Sequence, residues 1–344
     1  MYMTPLLEKE KVLSPFTTLH VGGRAQFFIR VKEISELSYA VRFAKERALP
    51  IFFLGGGSNL LIGDHGVSGL VIKVEHKGFS FETKKNYTLV RVGAGENWDS
   101  VVEESVKREL FGIENLSLIP GTVGATPVQN IGAYGQEVSN VIDHVLTFDT
   151  EEEGWRVFTR EECAFNYRDS FFKSKLGKRF LVWEVVYKLC HEGSCNISYR
   201  DLEEYFRDQG IFPSLNTVRA AVIKIRKQKF PSVDEGYTAG SFFKNPIITQ
   251  EEFASLKARF KDLPGFALSH GEVKVPLAWI IEHVLKMKGF REGTVGTFIR
   301  QPLVLVNFGG ASAGDVDQFA KKIFSEVERL TGIKIEREVE FVGK

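Results

Sequence analysis

The chain has 344 residues, 43% hydrophobic and 26% charged, which is enough for two or three folded domains with apolar cores. Its 45 basic and 44 acidic residues leave a formal net charge of +1, which argues against a large basic face for nucleic acid. The first residues lack the apolar stretch of a signal peptide and no apolar run could span a bilayer, so we expect a cytoplasmic protein with no nucleic-acid or membrane partner.

The first third of the chain alternates between predicted helices and predicted strands. Apolar residues recur at helical spacing in two segments, and short apolar runs mark three strands. The predicted helices are 34–49, with Ile34, Leu37, Val41 and Ala44 inward, and 96–110, with Trp98, Val101, Val102 and Val106 inward; the predicted strands are 50–54, 69–74 and 88–93.

Residues 112–168 lack helical periodicity and are rich in Gly, Pro, Asn and Thr. A loop this long in a compact domain is usually functional or disordered, and its regular apolar residues favour an ordered ligand loop. Strands are predicted at 141–149 and 179–189, and a helix at 216–229 with Asn216 as its N-cap.

A polar segment with Pro and Gly, FPSVDEGYTAG, follows this helix and places a domain boundary near residue 220. A largely buried helix is predicted from Pro276, and a strand at 303–307. A further helix, 312–332, has a capping box of Ser312 and Asp315 at its start. The closing run IKIEREVEFVG alternates as a strand does, which would put Glu336, Glu338 and Glu340 on one face.

The cysteines are sparse and odd in number, which fits a reducing compartment better than a disulfide framework. Cys190, His191 and Cys195 are close in sequence, but no second ligand pair follows at metal-binding spacing. We therefore predict no metal site.

Two glycine-rich segments are candidates for ligand binding. GGGSN, Gly55 to Asn59, follows a predicted strand and is either a tight turn or a phosphate cradle, since consecutive glycines let backbone N–H groups approach an anion. It is not a dinucleotide fingerprint, because Leu60 stands where the third glycine belongs. The second segment, IPGTVGATPVQNIGAYG, combines small residues with amide side chains. Two such loops suit an extended dinucleotide better than a single phosphate.

Five segments carry a resemblance to a known family: LGGGSNLLI, ENLSLIPGTVGATPVQNIGAYG, FNYRDSFFK, AGSFFKNP and EREVEF. In this order they resemble the bacterial UDP-N-acetylenolpyruvoylglucosamine reductases, flavoenzymes of peptidoglycan precursor synthesis called MurB, in the longer subtype with a tyrosine loop. The match runs from about Ser14 to the C-terminus. It implies an α+β fold with a two-part FAD-binding region of the vanillyl-alcohol-oxidase type and a smaller α+β substrate-binding domain.

On this basis we assign four segments. Residues 14–75 and 76–219 are expected to be FAD-binding subdomains, 220–331 the substrate-binding domain, and 332–344 a C-terminal strand that returns to the active site.

The resemblance also implies non-covalent FAD, with NADPH as co-substrate and a UDP-sugar as substrate. NADPH would reduce FAD, and the reduced flavin would then pass a hydride to the enolpyruvyl group. His20 is near the flavin region, but a packed histidine is the better interpretation than a covalent attachment point. The residues implied for FAD are Gly55, Gly56, Gly57, Ser58, Asn59, Pro120, Gly121, Thr122, Val123, Gly124, Ala125, Gln129, Asn130, Gly132, Ala133 and Tyr134.

Hydride addition to a vinyl group pushes charge onto the neighbouring carboxylate, so the site needs cationic or protonated donors there and a proton donor at the adjacent carbon. By resemblance these are Arg168, Glu338 and Ser241. Each has a plainer interpretation from sequence: a surface arginine paired with a nearby acid, a solvated acidic face, and a serine that starts a strand.

Substrate contacts are predicted at Tyr167, Tyr199, Lys229, Asn245 and Gln301. Lys229, with Arg226, could meet the diphosphate, or the two could form a basic solvated helix end. Tyr199 resembles the tyrosine that covers substrate in the longer subtype; burial in a strand is the alternative.

One residue departs from the pattern, because some family members have an Arg where this chain has Glu340. Two other functions stay open: an oxidase or dehydrogenase of the same flavin fold acting on another small substrate, and a non-catalytic protein that binds a nucleotide-sugar or flavin.

Overall fold

The computed structural model describes residues 6–268 and 271–343. The strands are β1 Glu8–Val12, β2 Arg24–Val31, β3 Ile51–Leu54, β4 Leu60–Ile62, β5 Val67–Val74, β6 Phe79–Thr83, β7 Tyr87–Gly93, β8 Gly132–Ala133, β9 Gln136–Glu137, β10 Ile142–Asp149, β11 Gly154–Thr159, β12 Phe180–Cys190, β13 Ile247–Thr249, β14 Phe266–Ala267, β15 Glu272–Lys274, β16 Arg291–Glu292, β17 Val295–Thr297, β18 Leu305–Asn307 and β19 Glu340–Val342. The helices are α1 Ile34–Glu46, α2 Trp98–Lys107, α3 Ala125–Gln129, α4 Arg200–Gln209, α5 Leu215–Lys229, α6 Gln250–Arg259, α7 Leu277–Trp279 and α8 Ala313–Thr331.

The chain divides into two compact units, each made of separate stretches of sequence. The first unit contains the residues up to Lys11, Ala25–Gly56 and Val67–Arg226; the second contains Val12–Arg24, Gly57–Gly66 and the residues from Lys227 onward. The domain boundaries assigned from the sequence stay a prediction.

Two large sheets form most of the first unit, in addition to the short β8–β9 pair. One has the strand order β1-β2-β5-β3, in which β2, β5 and β3 run parallel, and the other has the order β11-β10-β12-β7-β6 with antiparallel pairs. Helices α1 and α2 pack their apolar stripes into the same core as these strands. Trp98, Val101, Val102 and Val106 are buried as predicted, whereas Ile34 is 51% exposed because it lies at the first turn of α1.

The second unit has a core around α8, which packs near short sheets with the orders β13-β15-β14 and β16-β17-β18. The predicted capping box is confirmed, since Ser312 and Asp315 bond reciprocally at the helix start. Gly332 ends the helix in a left-handed conformation that glycine adopts readily. This mixture of separated helices and sheets confirms the predicted α+β class.

Three expected elements differ from the structure. Asn216 is not an N-cap, because α5 begins at Leu215 and the Ser214 hydroxyl oxygen accepts the N–H of Thr217 at 3.3 Å instead. The helix expected from Pro276 is a short α-helical turn that widens into a π-helix at Ile280–Val284, with the Leu285 N–H bonded to the Ile280 carbonyl.

The closing strand is also interrupted. Residues 336–338 bond to the segment around Phe243, the chain bends at 338–339, and β19 then pairs in parallel with β4. The bend breaks the alternation that would have placed three glutamates on one face. Strands β1, β2, β6 and β11 and helices α4 and α6 were not expected from the sequence.

Candidate active site

The parallel sheet of the first unit brings three loops to one edge. Strands β2, β5 and β3 end at Val31, Val74 and Leu54, and because they are parallel, their carboxyl ends lie together. The GGG segment follows β3 at this edge. Open α/β sheets bind ligands beyond the carboxyl ends of their strands. A cavity of about 680 Å³ lies here, lined by Lys32, Glu33, Lys73, Val74, Glu75, His76, Lys77 and Gly95.

Lys73 is a residue at this edge that the sequence analysis missed. Its ammonium donates a hydrogen bond to the Gly55 carbonyl, and burial lowers its pKa below the usual value. The signal in the sequence is a single lysine within the apolar run GLVIKV. By bonding to Gly55, Lys73 fixes the start of the glycine segment.

The two glycine-rich segments meet within the first unit. A Cβ on Gly56 would lie 2.7 Å from the Gly121 Cα, and a Cβ on Gly55 would lie 2.8 Å from the Thr122 hydroxyl. Only glycine allows backbones to come this close. The Thr122 hydroxyl oxygen is buried and has no hydrogen-bond partner within the described chain. A tight backbone cradle with an unsatisfied polar atom fits a ligand with phosphate or ring acceptors, such as FAD.

The second glycine-rich segment holds its shape through Asn130. This residue is 1% exposed and left-handed, with φ 42°. Its amide nitrogen donates to the Glu137 carboxylate and the Asn166 carbonyl, both at 3.0 Å, and its amide oxygen accepts the Ser139 N–H at 3.2 Å. Asn130 therefore stabilises the loop through hydrogen bonds within it. Its predicted contact with FAD stays a prediction.

Charged side chains of α2 and α5 form hydrogen bonds at both ends of this loop, at Leu118 and at Tyr134. Asp99 accepts the Leu118 N–H at 2.5 Å and is bonded by both terminal nitrogens of Arg219 at 2.7 and 3.0 Å. Arg226 donates to the Leu118 carbonyl at 3.2 Å and bonds to the Tyr134 side chain. Burial raises the pKa of Tyr134 to about 12, against the opposing effect of the nearby arginine charge. The loop ends are thus fixed from both helices.

Arg168 points into the first unit. Its guanidinium donates to the Gly132 carbonyl at 2.6 Å and lies 3.9 Å from the Glu137 carboxylate, with the Tyr167 ring 5.3 Å below it. The side chain is 17% exposed, and its backbone is left-handed with φ 53°. The sequence left open a surface arginine paired with a nearby acid; Arg168 does lie near an acid, Glu137, but its side chain is largely buried.

The segments that carry Ser241 and Glu338 pair with each other in the second unit, although 97 positions separate the two residues in the sequence. Ser241 forms a bridge with Val304, and the carbonyl of the next residue, Phe242, accepts the Glu338 N–H at 2.9 Å. Phe242 and Phe243 are each 1% exposed in the core of the unit, so this segment has a fixed path.

Gly240 precedes Ser241 and is not required by close packing, because a Cβ there would have no described heavy atom within 4 Å. Its φ of 79° explains the glycine instead, because side-chain-bearing residues rarely adopt that conformation.

The residue before Glu338 is anchored independently. Arg337 forms an ion pair with Asp317 and lies 5.5 Å from the Phe341 ring centroid and 5.6 Å from that of Phe324. The ion pairs made by Asp317 outweigh the opposing effect of burial and hold its pKa below the usual range. The Arg337 side chain, directly before Glu338, is therefore held by Asp317 and by aromatic rings.

The end of the GGGSN segment belongs to the second unit. A Cβ on Gly57 would lie 1.9 Å from the Phe16 carbonyl oxygen, and Gly57 has φ 65°. The Asn59 side chain donates to the Glu338 carbonyl at 3.1 Å. Gly57 and Asn59 thus make contacts that stabilise the second unit. Their predicted contacts with FAD stay predictions.

The predicted substrate residues occupy varied positions. Asn245 accepts the Leu277 N–H at 3.0 Å and so caps α7, and the Gln301 side chain accepts the Leu303 N–H at 3.3 Å. Tyr199 lies at the start of α4, 46% exposed, and not in a strand. Its ring meets the Tyr134 ring edge-on at 5.3 Å.

The remaining predicted features are simpler. Lys229 is the last residue of α5. His20 stacks on Tyr237 at 3.8 Å, which supports a packing role. Cys163, Cys190 and Cys195 are free thiols. Within residues 6–268 and 271–343, no cluster of three metal-ligand side chains occurs. No helix in the described chain is both long and apolar enough to cross a membrane.

Sequence stretches in both units match known protein families. The FAD binding domain family matches residues 25–150, and the family of UDP-N-acetylenolpyruvoylglucosamine reductase C-terminal domains matches residues 231–342. The UDP-N-acetylenolpyruvoylglucosamine reductase of Pseudomonas aeruginosa is 37% identical, covering 96% of this chain and 98% of the relative. That of Bdellovibrio bacteriovorus is 38% identical, covering 95% and 96%.

A solved structure is similar over the same span. The crystal structure of the UDP-N-acetylenolpyruvylglucosamine reductase (MurB) from Thermus caldophilus matches with a TM-score of 0.70 and 25% identity, covering 99% of this chain and 100% of that chain. These matches confirm the FAD-binding region expected from the sequence.

Proposed function

The chain belongs to the family of UDP-N-acetylenolpyruvoylglucosamine reductases, and from that premise we propose that it reduces the enolpyruvyl group of UDP-N-acetylglucosamine enolpyruvate to give UDP-N-acetylmuramate, a step of peptidoglycan precursor synthesis. It is an FAD-dependent oxidoreductase, and NADPH is its electron donor. The observation that carries the proposal is the backbone pairing of the segment after Ser241 with the segment of Glu338, in which the Phe242 carbonyl accepts the Glu338 N–H.

FAD, when bound, supplies the means of passing a hydride from NADPH to the substrate. The residues that would hold it are those of the cradle, Gly55, Gly56, Gly121 and Thr122. The cradle offers close backbone approach and a buried hydroxyl in need of a partner, both of which suit a bound dinucleotide.

Ser241 would give a proton to the carbon that bears the ether oxygen. An alcohol is a poor acid in water, so this role needs a fixed position next to a carbon that is gaining negative charge. The buried neighbours Phe242 and Phe243 restrict the motion of the segment and support that requirement.

Glu338 and Arg168 would stabilise the charge that develops on the substrate carboxylate. A guanidinium presents paired donors that match a carboxylate, and a protonated carboxyl group can donate one more hydrogen bond. The inward placement of Arg168 supports this role for it.

We also propose that the enzyme works in the cytoplasm and that Tyr167, Tyr199, Lys229, Asn245 and Gln301 contact the UDP-sugar. Free thiols at all three cysteines fit a reducing compartment. The partial exposure of Tyr199 supports a contact with a ligand.

Product analysis in deuterated water tests the function. We expect the purified protein with NADPH to convert the enolpyruvyl UDP-sugar to a product carrying one deuterium at the carbon next to the ether oxygen, because that proton comes from an exchangeable hydroxyl. We expect the Ser241→Ala variant to form this product roughly 100- to 10,000-fold more slowly, the usual contribution of a positioned acid.

Mass spectrometry and NMR of the product would decide the outcome. Absence of any product with the wild-type protein would refute the function, and normal turnover by Ser241→Ala would refute only the role of that residue. Ser312→Ala is the matched control: it removes a helix cap worth about 1 kcal/mol and should leave turnover unchanged.

A further inference from the structure

Asn59 holds the chain directly after Glu338 through two hydrogen bonds. Its side-chain nitrogen donates to the Glu338 carbonyl at 3.1 Å, and its own carbonyl accepts the Glu340 N–H at 3.0 Å. The parallel pairing of β4 with β19 begins at the next position, Leu60 opposite Glu340. Asn59 therefore stands where the C-terminal segment enters this pairing.

The other side of Glu338 is bonded as well. Its N–H donates to the Phe242 carbonyl at 2.9 Å, directly after Ser241, and the following residue, Val339, is 2% exposed. Both peptide groups of Glu338 thus have a partner, one from the Ser241 segment and one from Asn59. Together these contacts set the direction in which the Glu338 side chain leaves the backbone.

The bend at 338–339 explains why a side-chain amide is needed. The bend interrupts the regular ladder, so the Glu338 carbonyl depends on a donor from outside it. An unpaired carbonyl in a half-buried position costs free energy, which the Asn59 amide prevents. Aspartate has the same shape but no N–H, and its carboxylate would face the carbonyl oxygen.

We infer that Asn59 is a positioning residue for the reduction of the enolpyruvyl group, acting through the backbone of Glu338. This rests on the proposed function, in which Glu338 contacts the reacting substrate. Asn59 would have no part in the transfer of electrons from NADPH to the flavin.

A double-mutant cycle on the two half-reactions tests this inference. Wild type, Asn59→Ala, Glu338→Gln and the double variant are loaded with FAD, reduced with NADPH in the absence of oxygen, and mixed with the enolpyruvyl UDP-sugar in a stopped-flow instrument. We expect Asn59→Ala to be reduced at the wild-type rate and reoxidised roughly 10- to 100-fold more slowly, the effect of a misplaced catalytic group. The double variant should be no slower than Glu338→Gln alone, because the two residues act as one unit.

The outcomes separate the two hypotheses. Normal reoxidation of Glu338→Gln would refute the proposed role of Glu338 itself. If Glu338→Gln is slow, three results would each overturn the inference about Asn59. These are normal reoxidation of Asn59→Ala, a double variant slowed by the product of the two single effects, and loss of flavin from Asn59→Ala.

Two further variants guard against a purely structural explanation. Asn59→Asp keeps the side-chain shape and should slow reoxidation as Asn59→Ala does, so it replaces that variant if the alanine protein does not fold. Asp64 lies in the same stretch of chain as Asn59, and its carboxylate accepts the N–H groups of Ala313 and Gly314 at the start of α8, at 2.8 and 2.9 Å. Asp64→Ala removes these two hydrogen bonds. It should lower the melting temperature and leave reoxidation unchanged.

Discussion

Gly56 shows at the scale of one residue why the cradle tolerates no side chain. A Cβ there would lie 2.7 Å from the Gly121 Cα and 3.2 Å from the Thr122 nitrogen, so two backbone segments would have to move apart. We expect Gly56→Ala to weaken FAD binding at least about tenfold, because overpacking forces such backbone shifts. Titration of the apoprotein with FAD, followed by flavin fluorescence, measures this.

A second glycine in the first unit provides the control. A Cβ on Gly154 would meet only the Glu152 carbonyl oxygen, at 3.9 Å, and the backbone there is not left-handed. Gly154→Ala should therefore bind FAD as the wild type does. Equal affinity of Gly56→Ala and Gly154→Ala would mean that the cradle does not hold the flavin.

Asp99 joins two helices, α2 and α5, to the loop that begins at Leu118, so its charge affects how these elements are held together. Burial alone would raise the pKa of this carboxyl group, but hydrogen bonds from Arg219 and the Leu118 N–H outweigh it and lower the pKa. A lowered pKa means that the contribution to stability is present above the unfolded-state pKa and is lost as the pH falls through the folded-state pKa.

We expect Asp99→Asn to reduce the free energy of unfolding by about 1–3 kcal/mol at neutral pH, because it leaves a charged and partly buried Arg219 with a weaker partner. The difference from wild type should shrink in acid, where the wild-type carboxyl also becomes neutral. Urea titrations across the pH range measure both effects. A difference that is constant with pH would contradict this account, and Glu103→Gln, which alters an exposed pair on the same helix, is the control.

Local signals in the sequence predicted some elements fully. Helix α8 could be found because a capping pair, an apolar stripe and a terminal glycine all agree. The closing strand could not, because its path depends on two partners far away in the sequence, the Phe242 segment and β4. The capping role of Ser214 was missed because Asn216, two positions on, is an equally good capping residue type.

At the scale of the whole molecule, the chemistry was more predictable from the sequence than the architecture. Five motifs identified the family, the fold class and the cofactor, since the residues that bind and react carry recognisable types and spacings. The division into two units could not be predicted, because residues 12–24 and 57–66 join the C-terminal part through long-range pairing. The contacts of Asn59 follow from the same pairing and have no local signal in the sequence, whereas Lys73 is marked as the single lysine of the apolar run GLVIKV.

The central claim is that one protein carries out both halves of an NADPH-dependent reduction, and its anaerobic visible spectrum tests this most directly. We predict that the FAD-loaded protein shows a flavin band that bleaches on addition of NADPH and returns on addition of the enolpyruvyl UDP-sugar. Bleaching without return would contradict the proposed substrate, and a protein without a flavin band after reconstitution with FAD would contradict the account of the cradle.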